Sequence, residues 1–131
     1  MNLFDEKYRH PPDQINPAHY KDAPPGIDDE CITYTRPLSF TQGNAAKYVY
    51  RAGRKGDVRQ DLEKAAWYLR DAIKYGTGLY RIGWDLRNTI DPSASIRAEL
   101  FDLIVSGHCV AALALIDEVL EAGAELDQEQ P

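Results

Sequence analysis

Residues 40 to 76 constrain the fold most narrowly, because they hold two helical patterns joined by a turn of only a few residues. The first pattern predicts a helix over residues 42 to 52. Thr41 is the expected N-cap, and Gly53 stands where a glycine in the left-handed conformation commonly ends a helix. A connection this short predicts that the next helix returns antiparallel against the first.

The second helix is predicted over Val58–Tyr75, with Asp57 as its N-cap and Gly76 as its end. Its apolar residues recur with the 3.6-residue period of a helix that buries one face. This stripe consists of Leu62, Ala65, Ala66, Leu69 and Ile73. The two alanines also predict that a neighbouring helix comes close.

The flanking segments extend this helix pair into a mainly α fold. Residues 1 to 28 contain five prolines and predict an extended arm that lies over other elements. Cys31–Thr35 fits either a short strand or a helical turn. Beyond residue 92 the pattern predicts a helical hairpin, Ile96–Val105 and Cys109–Ala122, that turns at Ser106-Gly107. Its predicted core residues are Leu100, Leu103, Ile104, Val110, Leu113, Ile116, Val119 and Leu120.

The length of 131 residues predicts one domain. Its parts are an arm (1–28), a helical core (29–76), a helical extension (77–123) and an acidic tail (124–131), which we expect to be mobile. No apolar run reaches the roughly 20 residues of a membrane span, and the first residues lack a signal-peptide pattern, so we expect a cytoplasmic protein. Two distant cysteines predict neither a disulfide framework nor a zinc site.

Charge is unevenly distributed along the chain. Residues 47 to 87 hold ten Lys and Arg against five Asp and Glu, whereas the whole chain has a net charge of −6. The acidic total argues against binding of bulk nucleic acid, which requires many cationic contacts to phosphates. A basic island of this size suits one small anion, such as the phosphates of a nucleotide.

Polar residues of the first helix recur at helical spacing and so share one face. They are Asn44, Lys47, Tyr48 and Arg51, and Arg54 and Lys55 can fold back over the same surface. The second helix carries its own polar stripe of Asp57, Asp61, Lys64, Tyr68 and Asp71. If the helices pack side by side, these stripes border one groove, in which cations bind phosphate and Tyr48 or Tyr68 stacks on a base.

Simpler interpretations of the same residues stay open. Asp61 and Lys64 also fit a surface ion pair, and basic residues near a helix C-terminus stabilise its dipole. Asp57 and Asp61, one turn apart, can hold Mg²⁺ through water, but ordinary capped helices show this spacing too. No phosphate-binding loop of the G-x-x-x-x-G-K-[ST] type is present.

Two sequence blocks together resemble the DUF3310 family of small, mostly bacteriophage proteins, whose members include the nucleotide kinase of T7-like phages. The first block is Asn-Pro-Ala-His-Tyr at residues 16 to 20. The second, over residues 40 to 69, reads F-x-x-G-N-A-A-K-Y-x-x-R-A-G-R-K-G-x-x-x-x-D-L-x-K-A-x-W-Y-L. The resemblance implies a phage protein that handles nucleotide phosphates in the infected cell and self-associates.

Carried over by position, the resemblance implies a site in which His19 closes over the ligand and Asp61 holds Mg²⁺ or orients the acceptor. The implied ligand-binding residues are Tyr20, Gly43, Asn44, Lys47, Tyr48, Arg51, Arg54, Lys55, Lys64 and Tyr68. The hairpin after Pro92 has no counterpart in the resemblance.

Several functions fit these residues. The first is a non-P-loop kinase that phosphorylates (deoxy)nucleoside monophosphates with ATP and Mg²⁺. The alternative is a binding protein that sequesters a host nucleotide signal without turnover, as in counter-defence. An all-α nucleoside triphosphate pyrophosphohydrolase would use Glu99 and Asp102 as an E-x-x-D motif, but the matching E-E-x-x-E is missing. An inhibitor of a host protein, acting through the acidic C-terminal hairpin, is a fourth alternative.

Overall fold

The computed structural model describes residues 23 to 128, and within them every regular element is helical. The helices are α1 (Cys31–Thr35), α2 (Phe40–Arg51), α3 (Val58–Tyr75), α4 (Trp84–Arg87), α5 (Ile96–Val105) and α6 (Cys109–Ala122). The α2–α3 pair forms the most extensive contact, α5 packs on α2, and α6 packs on α3 and α5. The predicted mainly α fold is confirmed, and α1 is a helical turn rather than a strand.

The start of α2 lies two residues earlier than predicted. Ser39, not Thr41, is the N-cap, and its hydroxyl accepts a hydrogen bond from the amide of Gln42. The same Ser39 hydroxyl donates to the Thr77 carbonyl, while the Thr41 hydroxyl pairs with that of Thr77 at 3.0 Å. These contacts fasten the start of α2 to the chain that leaves α3. The end of α2 agrees with the prediction, because Gly53 has a φ of +76°.

Helix α3 begins and ends as predicted. The Asp57 side chain accepts from the Arg59 amide, and Gly76 has a left-handed φ of +69°. The predicted stripe is correct for its first four residues, which are buried. The prediction for Ile73 is wrong, because this residue is 39% exposed and its neighbour Ala72 is buried instead.

The α5–α6 hairpin has the predicted bounds, and its aliphatic side chains supply much of the core. Val110 is the exception among the predicted core residues, because 68% of it is exposed. The predicted mobility of the acidic tail is wrong for residues 124 to 128. Leu126 is buried, its carbonyl accepts from the Arg97 amide, and Asp127 pairs with the Arg97 guanidinium.

Arg97 terminates α2 from a neighbouring helix. Its guanidinium donates to the carbonyls of Val49, Tyr50 and Ala52 at 2.8 to 3.2 Å, and to both carboxylate oxygens of Asp127. Only 3% of this side chain is exposed. A buried arginine at the end of a helix satisfies carbonyls that have no partner within the helix. The hairpin therefore holds the end of α2 that leads into the basic turn.

The described end of the N-terminal arm, residues 23 to 28, turns at Pro25-Gly26 rather than staying extended, and it packs against the start of α5. Ile27 forms an isolated antiparallel bridge with Ile90. Gly26 approaches α5 so closely that a Cβ there would lie 2.8 Å from the Ala98 Cβ. This agrees with an arm that lies over other elements. The predictions for residues 1 to 22, including His19 and Tyr20, fall outside the described residues.

Candidate functional site

Two tyrosines join the facing surfaces of α2 and α3. The rings of Tyr48 and Tyr68 are stacked, with centroids 5.9 Å apart and planes inclined by 16°. Sequence reasoning expected one of them to stack on a base. Instead the two rings stack on each other, so each contributes to the packing between α2 and α3.

Three cations gather around the Tyr48 ring. Lys47 Nζ lies 4.7 Å from its centroid, Lys64 Nζ 5.4 Å and the Arg51 guanidinium carbon 5.3 Å. Each distance falls within the range of a cation–π interaction. The structure thus brings the predicted residues of both helices into one group, which we call the Tyr48 cluster: Lys47, Tyr48, Arg51, Asp61, Lys64 and Tyr68.

One carboxylate faces these cations. Asp61 Oδ1 lies 3.8 Å from Arg51 Nη2, and the Asp61 side chain is 3% exposed. In residues 23 to 128, neither Lys47 nor Lys64 has a carboxylate within 4.0 Å. The Tyr48 cluster therefore holds two more positive charges than negative ones.

The hydrogen bonding of the Arg51–Asp61 pair is also incomplete. Arg51 Nε and Asp61 Oδ2 are both buried and have no hydrogen-bond partner among the described residues. Buried polar atoms in folded proteins are nearly always hydrogen-bonded, because an unpaired one costs roughly 1–3 kcal/mol. An ordered water, or a ligand group once the side chains shift, can supply the missing partners of this donor and this acceptor.

Two exposed aromatic residues flank the stacked tyrosines. Phe40 and Trp67 meet the Tyr68 ring edge-on, with centroids 6.2 and 5.1 Å away. They are 76% and 60% exposed. Sequence reasoning did not select either residue. A signal was present for Trp67, because a large aromatic residue there lies outside the apolar stripe of α3.

A cavity of about 380 Å³ lies between α1 and α2. Gly43, Asn44 and Lys47 line it, so these predicted residues border a different space from the tyrosine stack. The Asn44 amide nitrogen donates to the Phe40 carbonyl one turn earlier, which leaves the amide oxygen as an acceptor. Burial raises the pKa of Cys31, another lining residue, to about 12, although the charge of Lys47 lowers it in part.

Arg54 and Lys55 do not join the Tyr48 cluster. The Arg54 guanidinium lies 5.6 Å from the centroid of Tyr50, on the side of α2 that faces the arm. Burial raises the pKa of Tyr50 to about 12, with a further increase from Cys31 and a decrease from Arg54. Lys55 is exposed in the turn. The expectation that both fold back over the groove is not met in this structure.

The two carboxylates proposed to hold Mg²⁺ have different partners. Asp57 caps α3 through the Arg59 amide, and Asp61 faces Arg51. Between residues 23 and 128, no three His, Cys, Asp or Glu side chains are grouped so that they could hold a metal ion. Asp57 and Asp61 therefore form no metal site with other side chains of the described segment, and the Mg²⁺ hypothesis stays a prediction.

Glu99 and Asp102, considered for a pyrophosphohydrolase, lie on α5. Burial raises the pKa of Asp102, while Arg87 and His108 lower it in part. The described part of the chain does not bring these two carboxylates into an acidic group of three. Nothing in the site geometry supports that alternative.

No helix within residues 23 to 128 has the length and apolar character of a membrane span. No curated protein and no solved structure matches the chain. Residues 15 to 70 match the model of a family described as a protein of unknown function, DUF3310. That segment contains α1, α2, most of α3 and the whole Tyr48 cluster. The similarity to the DUF3310 family is therefore carried by residues 15 to 70, a little under half of the chain.

Proposed function

We propose that the protein binds a phosphorylated nucleotide at the Tyr48 cluster. The observation that carries this proposal is the imbalance of charge, with three cations around one tyrosine ring and a single carboxylate beside them. Phosphate oxygens are strong acceptors for charge-assisted hydrogen bonds from lysine and arginine. The Arg51 side chain keeps 20% of its surface exposed, so a phosphate oxygen can reach it from solvent.

We further propose that the bound nucleotide is the phosphoryl acceptor of a kinase reaction. An oxygen of the nucleoside monophosphate would form a bond to the terminal phosphorus of ATP. The bond from that phosphorus to its bridging oxygen would break, so that ADP leaves with the electron pair and the acceptor becomes a diphosphate. Such a transfer depends mainly on positioning and on neutralising charge, which Lys47, Arg51 and Lys64 would supply. Asp61 would orient Arg51 through their ion pair.

The binding proposal is tested by comparing two double variants. In Lys47→Ala/Arg51→Ala, two contacts worth roughly 1.5–3 kcal/mol each disappear, so affinity for deoxynucleoside monophosphates should fall at least about 100-fold. Arg70→Ala/Lys74→Ala removes the same charge from an exposed part of α3 and should bind within about twofold of the wild type. Isothermal titration calorimetry measures both. Equal losses in the two variants, or no binding by the wild type, would contradict the proposal.

Small molecules that co-purify with the protein identify the nucleotide directly. Mass spectrometry of the wild type should detect a phosphorylated nucleotide that the Lys47→Ala/Arg51→Ala variant lacks. The kinase step needs its own assay, in which the protein is incubated with ATP, Mg²⁺ and each deoxynucleoside monophosphate in turn. Diphosphate formation supports the kinase, and its absence with all of them removes it.

A second candidate is sequestration of a nucleotide signal without turnover. The pairing of Asp61 with Arg51 favours it, because the carboxylate in the cluster then helps to hold a cation in place. In this case the ligand should bind tightly and be recovered unchanged. Incubation of the bound nucleotide with ATP and Mg²⁺ separates the candidates, because a kinase converts it to the diphosphate and a sequestering protein releases it unchanged.

A phage origin, a role in counter-defence and self-association come from the family resemblance and stay predictions. Self-association has a direct measurement, because sedimentation velocity gives the mass of the particle in solution. The expected value is a multiple of the 14.8 kDa chain.

A further inference from the structure

We propose that the cavity between α1 and α2 receives the nucleoside part of the ligand, its aromatic base and sugar. This inference rests on the proposed function and names the part of the ligand that the Tyr48 cluster does not contact. The cavity is lined from α1 by Cys31, Ile32 and Thr35, and from α2 by Phe40, Asn44 and Lys47.

Position is the first reason. Lys47 lines the cavity and also lies 4.7 Å from the centroid of Tyr48, so one side chain borders both spaces. Phe40 lines the cavity and contacts the edge of Tyr68. A ligand whose phosphates meet Lys47 and Arg51 therefore has the cavity directly beside it.

The stacked tyrosines supply the second reason. Tyr48 and Tyr68 cover one face of each other, and the cations lie over the Tyr48 ring, so this pair is a poor platform for a base. Phe40, which is 76% exposed, offers an uncovered ring at the cavity mouth. Aromatic side chains commonly stack on nucleobases in this way.

The chemistry of the lining supplies the third reason. About 380 Å³ lies within the roughly 300–1,000 Å³ of small-molecule sites, which are mostly apolar with a few polar groups. Cys31 gives an apolar floor, since burial keeps its thiol protonated. The free amide oxygen of Asn44 can accept a hydrogen bond from a base or a sugar hydroxyl.

Gly43 allows a matched test. A Cβ at this residue would lie 3.7 Å from the Thr35 Cβ, an ordinary contact, so the helix accepts a side chain here. Both Gly43→Leu and Gly43→Ala remove the glycine, but only leucine fills the cavity. Each variant is titrated with a deoxynucleoside monophosphate set and, separately, with inorganic pyrophosphate, which has no base or sugar.

We expect Gly43→Leu to weaken nucleotide binding at least tenfold and to leave pyrophosphate binding within twofold. Gly43→Ala should change nucleotide affinity less than threefold. Nucleotide binding that Gly43→Leu leaves intact would overturn the cavity assignment, and so would an equal loss of both ligands. If Gly43→Leu shows no cooperative thermal unfolding, Ile32→Trp carries the same test, because Ile32 lines the cavity and is 53% exposed.

The outcome separates this inference from the proposed function. A wild type that binds neither pyrophosphate nor any nucleotide contradicts the proposed function itself. A wild type that binds deoxynucleoside monophosphates no more tightly than inorganic phosphate, which carries the same single phosphate group, keeps the phosphate site and refutes the nucleoside cavity.

Discussion

Two arginine–aspartate pairs of the molecule, Arg97–Asp127 and Arg51–Asp61, differ in how completely their polar atoms are hydrogen-bonded. Arg97 makes hydrogen bonds to three main-chain carbonyls and to both oxygens of Asp127. Arg51 approaches Asp61 only to 3.8 Å, and each side chain keeps a buried atom without a partner among the described residues. The first pair is complete and stabilises the fold. The second is incomplete and lies among unbalanced cations, which is why we propose a ligand site there.

If this comparison is right, replacing Arg97 should cost the most stability. Arg97→Met would leave the carbonyls at the end of α2 buried and unpaired, and should lower the free energy of unfolding by about 3–5 kcal/mol. Arg70→Met is the matched control, because the Arg70–Asp117 pair is 3.9 Å long with both side chains 60% exposed. The Arg70→Met variant should lower the free energy of unfolding by less than about 0.5 kcal/mol. Urea denaturation measures both, and similar losses would refute the comparison.

Alkaline pH should lower the free energy of unfolding, because two buried groups of the core must then lose their protons. Cys31 and Tyr50 have pKa values raised to about 12, against ordinary values of 9.0 and 10.0. Both groups stay protonated to a higher pH in the folded chain than in the unfolded chain. Their contribution to the free energy of unfolding is therefore complete below about pH 9 and is lost as the pH rises to 12. Each group contributes up to about 1.4 kcal/mol per pH unit between its two pKa values. Urea unfolding at pH 8 and pH 10.5 should show the loss, and Cys31→Ala should reduce it; identical stability at the two pH values would contradict this.

The Asp61→Asn variant tests whether the incomplete pair, unlike the Arg97–Asp127 pair, affects ligand binding. It removes the one negative charge from the Tyr48 cluster with little change of shape, so affinity for inorganic pyrophosphate should rise about threefold to tenfold. Calorimetric titration measures this, and thermal unfolding checks that the variant is folded. Asp127→Asn, the same change in the complete pair, should leave pyrophosphate binding unaltered. Weaker binding by Asp61→Asn would mean that holding Arg51 in place matters more for the ligand than the negative charge of the carboxylate.

The smallest expected effect is at Gly43. Glycine inside a helix is less stable than alanine by roughly 0.5–1 kcal/mol, and the added methyl group has room beside Thr35. Gly43→Ala should therefore raise the free energy of unfolding by about that amount in urea denaturation. A decrease would show that the wall between α1 and α2 is tighter than its contacts indicate.

Local signals predicted most of the fold. Asp57, Gly53 and Gly76 mark helix ends through their own backbone chemistry, so α3 and the end of α2 were predicted correctly. Thr41 was predicted as the N-cap of α2, but Ser39 occupies that position. The choice depends on Thr77, which is distant in sequence and binds both hydroxyls.

The sequence predicted the members of the Tyr48 cluster but not their arrangement. Helical spacing placed Lys47, Arg51 and Asp61 on facing surfaces, whereas the stacking of Tyr48 on Tyr68 depends on how the two helices meet. The role of Arg97 was not predicted, although the sequence carried a signal for it. Arg97 is the one cationic residue of α5, whose other residues are apolar except for two acidic ones. The docking of Leu126 could not be seen, because its partners come from elements far along the chain.

The guanidinium that terminates α2 comes from residue 97, and Asp127 holds it in place, whereas the family match ends at residue 70. We therefore expect that a polypeptide cut after Tyr75 would retain the whole Tyr48 cluster in its sequence and still fail to fold cooperatively. The segment that matches the family model and the segment that we expect to fold cooperatively would then have different boundaries.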